Sequence, residues 1–376
     1  MRVALDATPL LGARTGVGRY VEQLIYALRT ALPDDEAPEL TLVPFTWRGA
    51  GGLAAVAPRL SGVRIMARRA PARALRELWA RTALAPAELL SGPADVWHGT
   101  NFVLPPSRHA RGVVTVHDLT YLRHPQWVTP AVARYRALVP IALKRAAAIC
   151  TPSNAIRAEL LDAYPWVEAE RVFATPLCVD PQLFETAQPD AEQRRRLDLP
   201  ASYLLFLGSP EPRKGLDTLL DAYRLLHGRQ VELPPLLVVG PPGWGERANP
   251  AGLPDGLVRT IGYRPSADVP AIVAGARALV YPSRYEGFGL PPLEAFATGI
   301  PAVVTDLPVS REVLGNLATY ATVDDAESLA HAITIVLDPG ASTAAQANAR
   351  RSHAATFTRE ALGEATLAAY RFALSP

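Results

Sequence analysis

The feature that most constrains the fold is an alternation of short apolar runs with helical patterns, and this alternation occurs twice along the chain. Most of the apolar runs end at or just before a Gly, Pro, Ser or Asp, where a strand gives way to a loop. Strands that alternate with helices form βαβ units and parallel sheets. The predicted strands are residues 2–5, 40–45, 95–98 and 112–117 in the first half, and 203–208, 235–240, 258–263, 278–283 and 301–306 in the second half.

A polar stretch without a strand pattern separates the two halves. We predict that residues 180–199, which include Pro181 and Pro189, form the linker. Helices are predicted over residues 130–148, from Ser153 onwards and over 359–374. The sequence therefore predicts an α/β protein with two doubly wound parallel-sheet domains, residues 1–182 and 200–358, followed by residues 359–376. Ligands bind such sheets at the carboxyl ends of the strands, so two facing domains suit one substrate each.

The basic residues exclude several classes of enzyme. Among 38 basic residues only Lys144 and Lys214 are lysines, and neither lies in the Gly-Lys-Ser/Thr motif of a phosphate-binding P-loop. Pro140 and Pro210 stand where a short-chain dehydrogenase needs a tyrosine four residues before the lysine. The chain contains no Gly-x-Ser-x-Gly and no Asp-x-Asp. Hydrolases with a serine elbow and sugar-nucleotide enzymes with a metal-binding Asp pair are therefore disfavoured.

The start of the chain does not resemble a secretory signal. The apolar run after Arg2 is interrupted at Asp6, and no uncharged apolar stretch reaches the roughly 18 residues of a membrane span. Cys150 and Cys178 are expected to be buried small hydrophobic residues rather than a disulfide framework. We therefore expect a cytoplasmic protein.

The segment SRYEGFGLPPLEAFATG, residues 283–299, is the strongest candidate binding site. It follows a predicted strand, and its two prolines suit the first turn of a helix. An anion at this helix start would bind the amides of Phe288, Gly289 and Leu290. Glu286 in the loop and Glu294 on the predicted first turn would converge and accept hydrogen bonds from sugar or ribose hydroxyls. Alternatively, Glu294 complements the helix dipole.

A second candidate is FLGSPEPRKGLD, residues 206–217. Arg213 and Lys214 immediately precede a predicted helix that starts near Leu216. Two cations at a helix N-terminus oppose its dipole, so they favour an anion between them. A diphosphate fits this arrangement. An isolated Arg-Lys pair more often lies in a solvated loop without a ligand. We favour diphosphate binding here because this segment and residues 283–299 are expected to converge.

The first half offers a weaker set of candidates. The loop GARTGVGR, residues 12–19, opens a helix and could hold a phosphate, although a plain tight turn fits equally. His98 and His117 follow predicted strands; a structural role is favoured for His98, and His117 is either structural or a hydrogen-bonding group over a reacting sugar. No His, Cys, Asp or Glu spacing predicts a zinc site.

Residues 64–81, RIMARRAPARALRELWAR, carry six arginines and one glutamate. A solvated helix that packs by its Leu and Trp face is the preferred interpretation. The alternative is an amphipathic patch that touches anionic lipid, which would place the protein at the inner face of the cell membrane. Nucleic acid is not expected as a partner, because aromatic residues are not interleaved with the basic ones elsewhere.

These residues resemble a known family. The pattern EGFGLPPLEAFATGIPAVVTDLPVSREVLG is similar to the donor-site signature of the family 4 retaining glycosyltransferases, which have the GT-B fold of two facing Rossmann-like domains. The resemblance covers nearly the whole chain and is greatest for the bacterial mannosyltransferase-like subgroup of polysaccharide and O-antigen assembly. Its further motifs are TGVGRY, DVWHGTNFVLPP, TVHDLTYLRHP, TPSNAI, LGSPEPRKGLDTLL and VGPPGWG.

The resemblance implies an acceptor-binding first domain, a donor-binding second domain, and a final helix that crosses back to the first. It implies that Arg213 and Lys214 bind the donor diphosphate, that Glu286 contacts the transferred sugar and that Glu294 binds the ribose. The implied catalytic residues are Arg213, Lys214, Glu286 and His117, and His117 is implied to lie near the donor sugar. The other implied donor-binding residues are Gly16, Gly18, Ser209, Tyr263, Arg264, Gly287, Phe288, Gly289 and Leu290.

One position departs from the family pattern. Many members have an arginine directly after the glycine that ends the first strand of the second domain, whereas this chain has Ser209. The resemblance therefore implies that this chain relies on Arg213. Tyr263 and Arg264 are the weaker assignments, for the base.

The resemblance also implies the chemistry: transfer of a hexose with retention, without a metal or cofactor. The best match is mannose from GDP-mannose, with GDP-rhamnose or a UDP-sugar as alternatives, to a saccharide or lipid-linked acceptor. Two other classes remain: a nicotinamide-dependent oxidoreductase, which lacks the glycine fingerprint and the acidic ribose residue here, and a non-catalytic sugar-nucleotide-binding module.

Overall fold

Two parallel sheets organise the chain, which a computed structural model describes at residues 1–11, 16–33, 35–46, 53, 62–66, 70–244, 249–340 and 342–376. The contacts between residues divide it into two units. The first is Met1–Cys178 with Thr358–Pro376, and the second is Val179–Phe357. The predicted linker, residues 180–199, thus belongs to the second unit.

The first unit contains a seven-stranded sheet in the order β3-β2-β1-β4-β5-β6-β7, with every neighbouring pair parallel. Its strands are β1 Arg2–Asp6, β2 Glu39–Val43, β3 Arg64–Ile65, β4 Val96–Gly99, β5 Arg111–Thr115, β6 Ala146–Thr151 and β7 Val172–Ala174. Its helices before the second unit are α1 Gly16–Thr30, α2 Ala72–Arg81, α3 Glu88–Ser91, α4 Thr120–Arg123, α5 Pro130–Ala133, α6 Tyr135–Arg145 and α7 Asn154–Ala163.

The second unit contains a six-stranded sheet in the order β10-β9-β8-β11-β12-β13, again parallel throughout. Its strands are β8 Leu204–Leu207, β9 Leu236–Val239, β10 Val258–Gly262, β11 Ala278–Tyr281, β12 Ala302–Thr305 and β13 Thr319–Ala321. Its helices are α8 Gln182–Glu185, α9 Ala191–Leu197, α10 Leu216–Gly228, α11 Val269–Ala274, α12 Leu290–Ala297, α13 Pro308–Leu314, α14 Ala326–Leu337 and α15 Ala344–Ala354.

The strand order of each sheet reverses between its first and fourth strand in chain order. This is the doubly wound arrangement, in which a crevice opens at the carboxyl ends of the two strands that flank the reversal. In the second unit those strands are β8 and β11, which pair through Ala278 with Leu204 and Leu279 with Leu205. The loops that follow these two strands are therefore the expected position of a ligand.

The predicted fold class is confirmed, and all nine predicted strands are present with slightly shifted ends. The prediction of one continuous helix over residues 130–148 is wrong in two respects. The segment divides into α5 and α6, and its last residues, from Ala146, begin strand β6. The alanine run there has no β-branched residue to indicate a strand, and only the pairing of β6 with β5 and β7 decides its conformation. Strands β3, β7 and β13 are also absent from the prediction.

The predicted linker contains helical structure. Helices α8 and α9 lie within it, and α9 begins with a capping box in which the Asp190 carboxylate accepts from the Gln193 amide at 2.8 Å. The reciprocal bond runs from the Asp190 amide to the Gln193 side chain at 3.1 Å. The capping box stabilises a short helix that has no apolar periodicity. The sequence analysis relied on apolar periodicity and therefore did not predict this helix.

The last helix of the chain, α16 (Arg359–Leu374), packs against the first unit. Thr358 caps it by accepting from the Ala361 amide at 3.1 Å. A Cβ on Gly363 would lie 3.0 Å from the main-chain oxygen of Ala27 in α1, so the two helices approach closely. The residues 359–374 predicted to be helical are therefore an integral part of the first unit.

A buried polar network connects α16 with the sheet. The hydroxyl of Tyr370 lies 2.7 Å from Nδ1 of His98, and Nε2 of His98 lies 2.8 Å from the hydroxyl of Thr115. Tyr20, in α1, lies 2.9 Å from the same hydroxyl. Burial lowers the pKa of His98 to about 3, so its ring is neutral at pH 7. The structural interpretation of His98 is thus confirmed.

Replacing Tyr370 by Phe is expected to destabilise the first unit by about 1–3 kcal/mol. The variant leaves Nδ1 of His98 buried without its partner, and an unsatisfied buried polar group is destabilising by about this amount. Denaturant unfolding of the full chain measures the change. Tyr26→Phe is the control, because the half-buried Tyr26 ring keeps its place beside Arg359, 4.8 Å away. Equal losses in the two variants would contradict a specific role for the Tyr370 hydroxyl.

Candidate active site

The two loops at the strand-order reversal of the second unit carry the strongest sequence-predicted residues. The loop after β8 contains a short 3-10 helix, Pro212–Lys214, directly before α10. The loop after β11 runs from residue 282 to Gly289, where α12 begins. Because β8 and β11 are neighbours in the sheet, the fold brings Lys214 and Glu286 together although they are 72 residues apart.

Glu286 is the centre of a buried ion-pair cluster. Its side chain is 9% exposed, and its Oε1 lies 2.5 Å from Nζ of Lys214. Its Oε2 lies 3.2 Å from the guanidinium of Arg213. Nζ of Lys214 also donates to the hydroxyl of Tyr281 at 2.5 Å. The structure therefore joins the predicted phosphate-binding cations and the predicted hydroxyl-binding carboxylate in one cluster.

The charges in this cluster govern its protonation. Burial alone would raise the pKa of Glu286, but the positive charges of Lys214 and Arg213 outweigh burial and hold that pKa at about 2. Burial lowers the pKa of Lys214, and the neighbouring Arg213 acts in the same direction, while Glu286 opposes them. Glu286 is therefore ionised at neutral pH and supplies the counter-charge that keeps a buried lysine protonated.

The ammonium group of Lys214 is oriented rather than solvated. Its side chain is 11% exposed, and the ammonium lies 4.7 Å from the centre of the Tyr281 ring. Two of its three N–H groups have partners in Tyr281 and Glu286. A second carboxylate-bearing residue, Glu211, lies 3.7 Å from Arg213 at the rim of the cluster and is 26% exposed. A preorganised cation of this kind suits the recognition of an anionic oxygen.

The start of α12 lies in the second of these loops. Gly289 has a φ of +91°, a left-handed conformation that disfavours a side chain, although a Cβ there would meet no atom within 4 Å. The amides of Phe288, Gly289 and Leu290 stand at this helix N-terminus, and the following Pro291 and Pro292 have no N–H. The Phe288 side chain is buried and packs 5.8 Å from the ring of Phe357.

Glu294 is buried, with 1% exposure. The prediction that it falls on the first helical turn is wrong, since α12 begins at Leu290 and Glu294 is its fifth residue. A carboxylate complements the helix dipole only in the first turn, and the fifth residue of the helix lies beyond that turn. Gly287 lies in the loop between Glu286 and Phe288.

The other donor-site candidates of this unit lie at the same edge of the sheet. Ser209 follows β8 and donates to the main-chain oxygen of Pro242 at 3.4 Å. Tyr263 and Arg264 follow β10, which β9 separates from β8. The Tyr263 side chain is 48% exposed. The structure does not bring these two residues into the ion-pair cluster, so their assignment to the base stays a prediction.

In the first unit, His117 follows β5 and is held by its surroundings. Its Nε2 lies 2.8 Å from the main-chain oxygen of Thr100, and its ring meets those of Tyr20 and Phe102 edge-on at 4.9 and 5.5 Å. Burial lowers the pKa of His117. We therefore expect a neutral ring whose Nε2–H donates to Thr100 and whose Nδ1 is an acceptor.

The glycine loop of the first unit is described only in part. Gly16 and Gly18 lie in the first turn of α1, and residues 12–15 of the predicted loop lie outside the described residues. Among the described residues, no atom lies within 4 Å of a Cβ built at Gly16.

The arginine-rich segment is also described in part, with Arg68 and Arg69 outside the described residues. Helix α2 packs by Trp79, which is 2% exposed and donates to the main-chain oxygen of Ala85 at 3.0 Å. Arg81 is 79% exposed. In the described part of the chain, no helix combines the length and the apolar character that crossing a bilayer requires.

The sequence analysis missed Tyr281, Glu211 and Arg284 at this site. Arg284 lies two residues before Glu286 and forms ion pairs with Asp217 at 2.7 Å and Asp324 at 2.5 Å. Its partners are 67 and 40 residues away along the chain, so no local pattern indicates these pairs.

Comparison with known proteins places both units in described families. Residues 14–183 match the model of Glycosyltransferase Family 4, and residues 201–338 match that of Glycosyl transferases group 1. The chain is 32% identical over 252 residues to O-antigen chain mannosyltransferase B of Escherichia coli, covering 65% of each chain. It is 30% identical over 258 residues to MMP alpha-(1->4)-mannosyltransferase of Mycolicibacterium hassiacum, covering 66% of this chain and 60% of that one.

These matches span about three fifths to two thirds of the length of the curated relatives. Among solved structures, sucrose-phosphate synthase of Thermosynechococcus elongatus superposes with a TM-score of 0.72 at 20% identity, over 98% of both chains. WaaG, a glycosyltransferase involved in lipopolysaccharide biosynthesis, superposes with a TM-score of 0.65 at 20% identity, over 97% of this chain and 98% of that one. The fold is therefore GT-B, as predicted.

Replacing Glu286 by Gln is expected to destabilise the second unit by about 3–5 kcal/mol, because it leaves two buried cations without their shared counter-charge. Pyrophosphate should restore part of this loss. In the unsubstituted chain the stabilisation is present at pH 4.5 and above and is lost as the pH falls towards about 2, since folding lowers the pKa of this carboxyl. Thermal unfolding with and without pyrophosphate, between pH 7 and 2, measures both effects.

Glu211→Gln is the matched control, because Glu211 also faces Arg213 but is more exposed. Its loss of stability should be smaller, about 0–1 kcal/mol. If the two variants lose the same stability, or if pyrophosphate stabilises both equally, Glu286 is not the principal counter-charge of the cluster.

Proposed function

The chain belongs to the glycosyltransferases of family 4 and group 1, and from this premise we propose that it transfers a hexose from a nucleotide sugar to a saccharide or lipid-linked acceptor, with retention and without a metal. The observation that carries the proposal is the buried cluster of Lys214, Arg213 and Glu286 beside the start of α12. Cations of this kind match the diphosphate that every such donor releases.

The leaving diphosphate is where negative charge develops during transfer. The bond between C1 of the sugar and the phosphate oxygen breaks, and a new bond forms between C1 and the acceptor oxygen on the same face. Lys214 and Arg213 stabilise the released diphosphate, and preorganised charges act most strongly in such a water-poor site. The amides of Phe288, Gly289 and Leu290 add donors at the helix start.

The acceptor proton leaves with the diphosphate in this proposal. A phosphate oxygen of the leaving group takes the proton, so no protein carboxylate acts as nucleophile or base. Glu286 instead turns an oxygen towards a hydroxyl of the transferred sugar when the diphosphate shares its two cations. Glu294 binds the ribose hydroxyls.

We also assign roles to residues of the first unit. His117 is neutral, and its Nδ1 accepts a hydrogen bond from a sugar hydroxyl, while Thr100 fixes the ring through Nε2. Gly16 and Gly18, at the start of α1, are proposed donor-binding residues.

The donor we propose is GDP-mannose, and GDP-rhamnose or a UDP-sugar are the alternatives. Support comes from the two relatives described above, which are mannosyltransferases, one of them of the O-antigen chain. The same similarity supports a saccharide acceptor in the assembly of a cell-surface polysaccharide. The exposed ring of Tyr263, with Arg264, is the proposed contact with the base.

Purified full chain is expected to bind GDP more tightly than UDP and to release GDP from GDP-mannose when an oligosaccharide acceptor is present. Lys214→Ala should weaken GDP binding by about 1.5–3 kcal/mol, as for the loss of a charged hydrogen bond. Calorimetry, nucleotide release and the anomeric configuration of the product by NMR test these expectations. Lys144→Ala, the other lysine of the chain, is the control.

Several outcomes would contradict the proposal. Negligible binding of both nucleotides would reject it, and an inverted product would reject retention. A change in reduced-cofactor absorbance would indicate an oxidoreductase. Donor binding without release to any acceptor would indicate a binding module.

We further propose that the arginine-rich surface beside α2 rests on an anionic membrane. Support comes from two exposed apolar side chains that follow this helix, Leu84 and Leu89, with exposures of 65% and 56%. Arg81 is 79% exposed directly before them. Exposed apolar side chains next to arginines suit the boundary of an anionic bilayer.

The chain is expected to co-sediment with vesicles that contain phosphatidylglycerol and not with neutral vesicles. Replacing Arg81 by Gln should weaken this binding about fivefold, since a basic residue near such a surface contributes about 1 kcal/mol. Arg229→Gln is the control, because Arg229 is an exposed arginine of the second unit. Equal binding to neutral vesicles, or no binding, would reject the proposal.

A further inference from the structure

The proposed donor site is built from two separate loops, and one side chain holds them together. We propose that Arg284 is a positioning residue for the donor diphosphate. It keeps the Arg213–Lys214 segment at a fixed place relative to Glu286 and the start of α12. This inference rests on the proposed function, because it concerns the same diphosphate site.

Arg284 contacts the main chain of the cation loop directly. Its main-chain amide donates to the main-chain oxygen of Arg213 at 2.8 Å. Its guanidinium donates to the main-chain oxygen of Pro212. Arg284 therefore binds the main chain of the cation loop from both its backbone and its side chain.

The same guanidinium anchors this loop to the neighbouring elements. It donates to Asp217 at 2.7 Å and to Thr218 at 3.2 Å, in the first turn of α10. It also donates at 2.5 Å to Asp324, which follows β13. The cation loop, the first turn of α10 and the segment after β13 thus all bond to the guanidinium of Arg284. This group is planar, always charged and carries five N–H donors, so it can bind several acceptors at once.

The main chains of the two loops also touch directly. Gly215 has a φ of +65°, and a Cβ there would lie 2.1 Å from the main-chain oxygen of Pro282. Only a glycine allows this approach, so the loop after β8 lies against the loop after β11 next to the Arg284 contacts. A shift of one loop therefore moves the groups of the other.

The Arg284 side chain forms its ion pairs with carboxylates outside the cation cluster. Its side chain is 12% exposed, and its carboxylate partners are the exposed Asp217 and Asp324, not Glu286. Ion pairs with exposed carboxylates contribute little to stability. Geometry at a binding site is more sensitive, because displacing a group by about 1 Å lowers affinity or rate strongly. The expected effect is therefore on the diphosphate rather than on the fold.

The experiment compares ligands that differ only in their phosphates. The full-length chain and Arg284→Met are titrated with GDP, GMP and guanosine, and with the UDP series if UDP is the tighter ligand. We expect the variant to lose about tenfold or more in affinity for the diphosphate and less than about twofold for the nucleoside, where tenfold is about 1.4 kcal/mol. In turnover, the KM for the donor should rise while the KM for the acceptor stays unchanged.

Three further variants make the test specific. Arg284→Lys keeps the charge but not the fork, and should recover part of the diphosphate affinity. The double variant Asp217→Asn and Asp324→Asn removes the anchors from the exposed side and should reproduce part of the Arg284→Met effect. Arg311→Met is the matched control, because Arg311 forms a bidentate pair with Asp306, at 2.7 Å for both contacts, in the same unit but outside both loops.

The outcomes separate the two proposals. If the unsubstituted chain binds no nucleoside diphosphate, the proposed function fails, and this inference with it. If it binds and Arg284→Met binds equally, or loses the nucleoside and the diphosphate in equal measure, the positioning role is wrong while the function stands. If Arg284→Met does not fold, the double Asn variant decides by the same comparison of ligands.

Discussion

A buried carboxylate that needs a counter-charge is the constraint on which the second unit depends. Burial raises the pKa of the Glu286 carboxyl, but the charges of Lys214 and Arg213 outweigh burial and hold that pKa at about 2. Burial lowers the pKa of Lys214, and Glu286 opposes that lowering. The two ion pairs therefore favour one arrangement of the loop after β8 relative to the loop after β11. A diphosphate that enters this place meets cations that are already desolvated and oriented, which lowers the reorganisation that binding requires.

The two units solve the problem of buried polar groups in different ways. In the second unit, charges are paired with charges at the carboxyl edge of the sheet. In the first unit, burial keeps His98 and His117 neutral, and hydroxyl or main-chain partners satisfy both ring nitrogens of His98 and Nε2 of His117. A neutral edge and a charged edge suit different chemistry: the first can bind hydroxyls of sugars, and the second can hold a phosphate anion. This difference is consistent with the proposed division between acceptor and donor.

The candidate site was largely accessible from the sequence because its residues cluster in two short segments. Arg213 and Lys214 are adjacent, and Glu286 to Leu290 are consecutive with a glycine and two prolines that set a loop and a helix start. The ion pair between the segments was not accessible, since it depends on β8 lying next to β11. Arg284 was missed for the same reason. Its two carboxylate partners, Asp217 and Asp324, belong to different segments, and no spacing in the sequence relates them.

The sequence alone determined the alternation of strands and helices, the two parallel sheets, the residues of the two loops and the resemblance to a glycosyltransferase family. These are local properties, because apolar periodicity, prolines, glycines and short motifs act over a few residues. The tertiary structure alone decided that Ala146–Thr151 is a strand and that Glu286 pairs with two cations. Those outcomes depend on which strands become neighbours and on how much water burial removes, and both arise only when distant segments pack together.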